Sequence, residues 1–168
     1  MIAMENKHKG GAVWVVAELK DTGLQPVSLQ LVGKARILAD QLNVDLEAVL
    51  IGDKVSEAAK LLIASGADTV YVAESDELAM YQSEIYSQII VHLAKEKQPE
   101  ILLAGSTFMG RELAPILAAK LETGLTAHCI ELVIGPDNVL DQQIPAYGGL
   151  ISILCPERRP QMATVAGG

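Results

Sequence analysis

The densest run of chemically useful residues is Gly105-Ser-Thr-Phe-Met-Gly110-Arg111. It places flexible backbone, two hydroxyls and an arginine where an apolar helical pattern begins. Free N–H groups at a helix N-terminus, beside a guanidinium, suit an anion such as a phosphate. The same residues also suit a plain strand-to-helix turn, with Ser106 or Thr107 as the cap and Arg111 paired to a surface carboxylate. The run matches neither GxxxxGK[ST] nor GxGxxG. Thr123-Gly124-Leu125-Thr126 follows the same helix, either lining the same crevice or simply closing the helix ahead of a strand. Candidate cofactor-binding positions are therefore Gly105, Ser106, Thr107, Gly110, Arg111, Thr123, Gly124 and Thr126. His128 stands next to them, near the expected start of a strand, where a lone histidine is usually a structural hydrogen-bonder.

A catalytic set does not emerge. There is no G-x-S-x-G and no convincing Ser-His-Asp order, so an enzyme is not expected and no catalytic residue is assigned. The two cysteines, Cys129 and Cys155, form no CxxC and lie in the apolar runs HCIELVI and ISILCP. Both read as buried, reduced thiols rather than zinc ligands or a redox pair. Glu74–Glu77 (ESDE) reads as a solvated loop, and no metal site is expected. Arg158-Arg159-Pro160 is a basic spot that would pin either an acidic partner surface or its own arm.

The elements that must position these residues alternate. Ala12–Ala17 is a continuous apolar run, as a strand buried on both faces requires. After the loop ELKDTGLQ, Pro26 to Leu42 carries Leu31, Ala35, Leu38 and Leu42 at helical spacing. Val44–Ile51 reads as a strand. Ser56 would cap a helix through Ala64, closed by Gly66. Asp68–Ala73 is a third strand, Ser83–Lys95 a helix, and Ile101–Ala104 a fourth strand. The last helix is expected to start near Gly110 to Glu112, so that Pro115 falls in its first turn, or else to kink there. Such spacers are too long for hairpins. The order implies an α/β fold, a parallel sheet with helices on both faces, in which ligands sit beyond the strands' carboxyl ends. Two loops qualify, Glu18–Gln25 and Gly105–Arg111. The end of the chain breaks the rhythm. Leu125–Ile134 and Val139–Ile144, flanking Gly-Pro-Asp-Asn, read as an antiparallel hairpin, followed by a strand at Leu150–Leu154 and a short extended Gln161–Val165.

The 168 residues suit one domain over 12–165, with a flexible N-terminal tail over 1–11 and the start of a linker at 166–168. Thirteen basic residues against 21 acidic give a net charge of −8. That argues against nucleic acid and anionic membranes as partners, and six aromatic residues make a base-stacking platform implausible. No apolar run is long enough for a membrane span, and the N-terminus has no signal-peptide core, so a cytoplasmic location is expected.

Four segments together point to a family: GKARILADQL (33–42), GADTVYVAE (66–74), PEILLAGSTFMGRELAPILAAKLETGLTAHC (99–129) and PAYGGLISILCPERRPQMATV (145–165). From about Ala12 to Val165 the chain resembles the N-terminal domain of the electron transfer flavoprotein alpha subunit. The family pattern G-[AS]-[TS]-x-x-G-R-[DE]-[LI]-A-P, then T-G-L-x-[AT], then R-P-Q-x-A-T is met throughout. Local departures are His128 where Asp is frequent, Leu150 after Gly-Gly where Asn is frequent, and Ala166-Gly-Gly in place of Arg-Pro-Gly. The resemblance implies an adenine-nucleotide-binding-like α/β domain that pairs with the beta subunit as a heterodimer. It implies FAD in the parent complex, held mainly by a C-terminal domain missing here, with no cofactor in this chain and AMP or a second flavin in the beta subunit. Electrons would pass from acyl-CoA or other dehydrogenases to a quinone oxidoreductase or another acceptor. The alternative is a free-standing adenine-nucleotide-binding module using the Gly105–Arg111 loop and the Thr123–Thr126 turn.

Overall fold

A computed structural model describes residues 11–167. The tail expected over residues 1–11 lies outside them except for Gly11, and so does Gly168. Val13–Val16 forms strand β1 with all four side chains buried. Successive side chains of a strand point to opposite faces. Val13 and Val15 accordingly join one apolar cluster, while Trp14 and Val16 join another. The loop expected after β1 folds into a two-rung hairpin, β2 (Leu19–Lys20) and β3 (Gly23–Leu24). Helix α1 (Pro26–Leu42) opens on its proline, where a missing N–H costs nothing.

Then follow β4 (Leu46–Gly52), α2 (Ser56–Ala64), β5 (Thr69–Glu74), α3 (Ser83–Lys97), β6 (Ile101–Gly105) and α4 (Phe108–Lys120). The chain continues as β7 (Leu125–Cys129), β8 (Glu131–Ile134), β9 (Leu140–Ala146), β10 (Gly149–Ile153) and β11 (Gln161–Val165). Six strands form one parallel sheet in the order β5-β4-β1-β6-β11-β7. Helices α1 and α2 cover one face, through Leu31, Leu38 and Leu62. Helices α3 and α4 cover the other, through Ile90, Leu113 and Leu117. The α/β class with helices on both faces is as the sequence implies.

Four details differ from the sequence reading. Ser56 is the first residue of α2 rather than its cap, and the capping position is Val55. Helix α4 starts at Phe108 and holds Pro115 in its interior, because Thr107 caps it two residues earlier than expected. Pro115 and Arg111 are both exposed, so the Arg111 carbonyl that loses its donor is not trapped in the core. The expected hairpin strand 125–134 is divided at Ile130, which separates β7 from β8. β7 joins the parallel sheet, and β8 pairs with β9 and β9 with β10 in a separate antiparallel sheet. Gln161–Val165, expected only as a short extended segment, is a full member of the main sheet. As β11 it enters the main sheet between β6 and β7, with Met162 opposite both Leu102 and Leu125.

The β9–β10 turn is Tyr147-Gly148, both with positive φ (51° and 77°), the backbone a two-residue hairpin demands. The small sheet is docked on the α1 face. Leu132 and Leu140 belong to that core, and Lys34 of α1 pairs with Glu131 of β8.

Candidate functional site

The chain leaves β1 toward β4 on one side and returns through α3 to β6 on the other. Strand order therefore reverses between β1 and β6, and a crevice opens beyond their carboxyl ends. Glu18 stands there, two residues past β1, and is 4 % exposed. Its N–H donates to Ser28 Oγ at 2.8 Å. Thr107 Oγ1 donates to Glu18 Oε1 at 2.6 Å and accepts from the Gly110 N–H at 3.0 Å. One hydroxyl thus caps α4 and ties β1 to β6. Glu18 Oε2 is buried with no partner among the described residues. Burial pushes the Glu18 carboxyl above its ordinary range, and the Thr107 hydrogen bond and the charge of Lys20 offset this only in part.

Gly110 is what lets α4 sit this close. A Cβ there would lie 1.8 Å from the Gly105 carbonyl oxygen. In front of Glu18 and Thr107 is a cavity of about 610 Å³, lined also by Val27, Met80, Tyr81, Phe108 and Met109. The Tyr81 hydroxyl is buried without a well-formed hydrogen bond. Burial and the neighbouring Glu112 carboxylate raise its pKa strongly, and its ring packs edge-on to Tyr86 at 5.1 Å.

A second cleft, of about 410 Å³, lies on the other side of α4, toward β7. Ser106, Arg111, Pro115, His128 and Thr164 line it. Ser106 Oγ and His128 Nδ1 are 2.9 Å apart, and the His128 N–H donates to Thr164 Oγ1 at 2.8 Å. His128 has φ of 59° at the point where β7 and β11 shift register, so it sits near the end of its strand rather than the start. Arg111 makes no ion pair among the described residues, contrary to the surface pairing that its neighbourhood suggested.

The candidate positions divide between two ends of the sheet. Gly105, Ser106, Thr107, Gly110 and Arg111 gather at the carboxyl end, around the first turn of α4. Thr123 and Gly124 precede β7 and lie at the opposite end, so they do not share that crevice. Thr123 Oγ1 donates to the Pro160 carbonyl at 2.8 Å, and Gly124 faces Cys155. Thr126 is buried within β7. Cys129 is buried, as expected, while Cys155 is only half-buried. Arg159 holds its own arm, bonding Glu100 at 2.6 Å and the Pro156 carbonyl at 2.9 Å. Within ESDE, Glu74 ends β5 and accepts the Val55 N–H, and Ser75 caps a short 3-10 turn.

Sequence reasoning flagged the Glu18–Gln25 loop but neither the Glu18–Thr107 bond nor Tyr81. The available signal was a lone acid placed directly after a strand apolar on both faces. Among the described residues no group of three or more His, Cys, Asp or Glu is arranged to hold a metal, and no helix is long and apolar enough to cross a membrane.

A sequence model of the electron transfer flavoprotein domain matches residues 13–168, nearly the whole chain. The chain belongs to the electron transfer flavoprotein family. It is 46 % identical over 158 residues to the electron transfer flavoprotein subunit alpha of Thermoanaerobacterium thermosaccharolyticum, covering 93 % of this chain and 48 % of that protein. It is 47 % identical over 159 residues to protein FixB of Clostridium saccharobutylicum, covering 93 % of this chain and 47 % of that one. A more distant relative, at 34 % over 181 residues, is the acryloyl-CoA reductase electron transfer subunit beta of Anaerotignum propionicum, with 93 % and 49 % covered. This electron transfer flavoprotein chain thus spans about half the length of the curated relatives it matches.

Proposed function

We propose that this chain is the N-terminal domain of an electron transfer flavoprotein alpha subunit. In that role it forms the heterodimer with the beta subunit and supports flavin-mediated electron transfer from dehydrogenases to a quinone oxidoreductase or another acceptor. It carries no redox centre of its own. The observation that carries the reading is the match of nearly the whole chain to about half of each alpha-type relative.

The chemistry around α4 supports the division of labour. A flavin dinucleotide brings a pyrophosphate, which wants several cations or a nest of free N–H groups. Here the Thr107 hydroxyl is already engaged on both sides, a buried carboxylate stands behind it, and Arg111 is the only cation lining either of the two cavities that flank α4 besides Lys20. These residues do not fit FAD by themselves. In the parent complex this chain's part is to hold and orient the neighbouring subunit and domain, and to keep water out of their contact.

The small sheet supports the partner half of the reading. Among the described residues β10 pairs with β9 on one side only, and its other edge takes no strand. Leu150 is 59 % exposed, and Ile151 and Leu154 are also exposed. An edge strand with apolar side chains on both faces is normally covered.

The test is to co-express this chain with a beta subunit from the same organism and pass the mixture over a sizing column in dilute buffer. A shared peak with one copy of each is the expected result. Two separate peaks at micromolar concentration overturn the reading.

A further inference from the structure

The cavity at the β1–β6 reversal has the features of a ligand site, and none of its lining residues belongs to β10. It opens at the topological switch point, where an open parallel sheet offers its ligand crevice. Its volume of about 610 Å³ is that of a site for a small organic molecule. At its inner end stands a carboxylate that is 4 % exposed, with one oxygen held by Thr107 and the other unpartnered. Buried polar atoms without partners are rare, and an anionic one most of all. The Tyr81 side chain lies on the same wall. At the mouth, Phe108 is 88 % and Met80 is 78 % exposed, so an aromatic ring and a thioether chain stand in water around the opening.

The chemistry selects the ligand. An orphaned carboxylate oxygen calls for an N–H or O–H donor. Phe108, Met80 and Met109 suit a flat ring. The charged side chains of the lining are Glu18, Asp21 and Lys20, so the wall carries more negative than positive charge and disfavours a phosphate.

We propose that this cavity binds an uncharged heteroaromatic ligand that presents an exocyclic amino group to Glu18 and stacks on Phe108. The ligand class is represented by an unphosphorylated aminopurine nucleoside. The arrangement differs from a phosphate-cradling site on the Gly105–Arg111 loop, because recognition is by the carboxylate on the β1 side of α4 and the phosphate is excluded.

The experiment is a titration of the 168-residue chain, labelled with nitrogen-15, with adenosine, inosine and AMP, followed by amide chemical shifts. Adenosine is expected to move the amides of Glu18 to Lys20, Tyr81 and Thr107 to Met109, with affinity at least threefold tighter than AMP. Inosine, which has a carbonyl where adenosine has the amino group, binds at least threefold more weakly. The decisive variant is Glu18→Gln. The Thr107 hydroxyl accepts from Gly110, so its proton still goes to the carbonyl oxygen of the substituted side chain, and the amide NH₂ then faces the ligand's own donor. A loss of at least fivefold in adenosine affinity is expected. Phe108→Ala, on an exposed side chain, is a second variant that leaves the fold intact, and it also weakens binding at least fivefold. Four results overturn the proposal: no shifts at low-millimolar adenosine, AMP binding tighter than adenosine, affinities unchanged by both variants, or shifts confined to the Ser106–His128 cleft.

Discussion

Glu18 is a residue whose burial works against the fold. Its carboxyl is held above the ordinary value of 4.5 chiefly by desolvation. A folded state that binds the proton more tightly than the unfolded one loses stability as pH rises toward and through the folded pKa. The penalty is therefore absent below about 4.5, where both states are protonated, and grows as pH rises through the raised folded pKa. Glu18→Gln keeps the Thr107 bond and removes the charge. Its melting temperature is expected to exceed that of the parent at about pH 8, with the gap closing as pH falls toward about 5. Thermal scans across that range check it, and a gap that widens on acidification contradicts it. Cysteine chemistry gives a second prediction at this scale. Burial pushes the Cys129 thiol up to about 11, and Cys155 is half-buried. An alkylating agent at mildly alkaline pH is expected to add one label to the native chain, at Cys155, and two after unfolding, as read by intact mass. The sequence showed both thiols in apolar runs, but it did not separate them. Burial of Cys155 depends on the arm after β10, which Arg159 holds by bonding both the nearby Pro156 carbonyl and Glu100, far away in sequence. Glu18 was equally illegible as a site residue, since its partner Thr107 is 89 positions away.

Among the elements, α4 is the one whose placement decides the geometry of both cavities. Its first turn rests against the end of β6 with no room for a side chain, since a Cβ on Gly110 would meet the Gly105 carbonyl oxygen at 1.8 Å. Gly33 in the middle of α1 offers a contrast, because a Cβ there meets nothing within 4 Å. Gly110→Ala is expected to destabilise the chain by about 2 kcal/mol or more, despite alanine's better helix propensity. Gly33→Ala is expected to stabilise it by about 0.5 to 1 kcal/mol. Urea unfolding of the two variants checks both signs, and equal shifts would mean that α4 leaves room for a Cβ at Gly110. Most elements were legible in sequence for one reason: strands buried on both faces read as continuous apolar runs, and the helices between them keep a 3.6-residue period. Where reading failed, the information was not local. The start of α4 depends on Thr107 reaching Gly110 and Glu18, which moves the cap ahead of the position that Pro115 alone would suggest. The insertion of β11 between β6 and β7 is a pairing choice among parallel strands, and five residues of QMATV carry no mark of their neighbours.

At the scale of the whole molecule, the two sheets are tied together through side chains of β8 and β9. Leu132 and Leu140 are fully buried in the α1 core. Gln161, the first residue of β11, accepts the Leu140 N–H on its side chain at 2.9 Å. β8 and β9 are thus anchored, and β10 projects beyond them with an unpaired edge and apolar side chains on both faces. A strand so placed contributes little to the fold of its own chain, because its side chains leave water only when something covers them. Its sequence is accordingly free to change without unfolding the protein, yet a partner that covers it depends on it. The double variant Leu150→Lys, Ile151→Thr separates these roles. Its unfolding free energy is expected to stay within about 0.5 kcal/mol of the parent, as for most exposed substitutions. Co-elution with the beta subunit is expected to be lost, since two contacts at the centre of the proposed interface are replaced by a desolvated ammonium and a shortened side chain. Matching substitutions on the exposed faces of α2, at Leu61 and Ile63, serve as the control, because those side chains are also apolar and exposed but lie on a helix away from β10. If the control disrupts pairing and the β10 variant does not, the beta subunit docks on the α1 and α2 face, and β10 must be covered by another part of the complex.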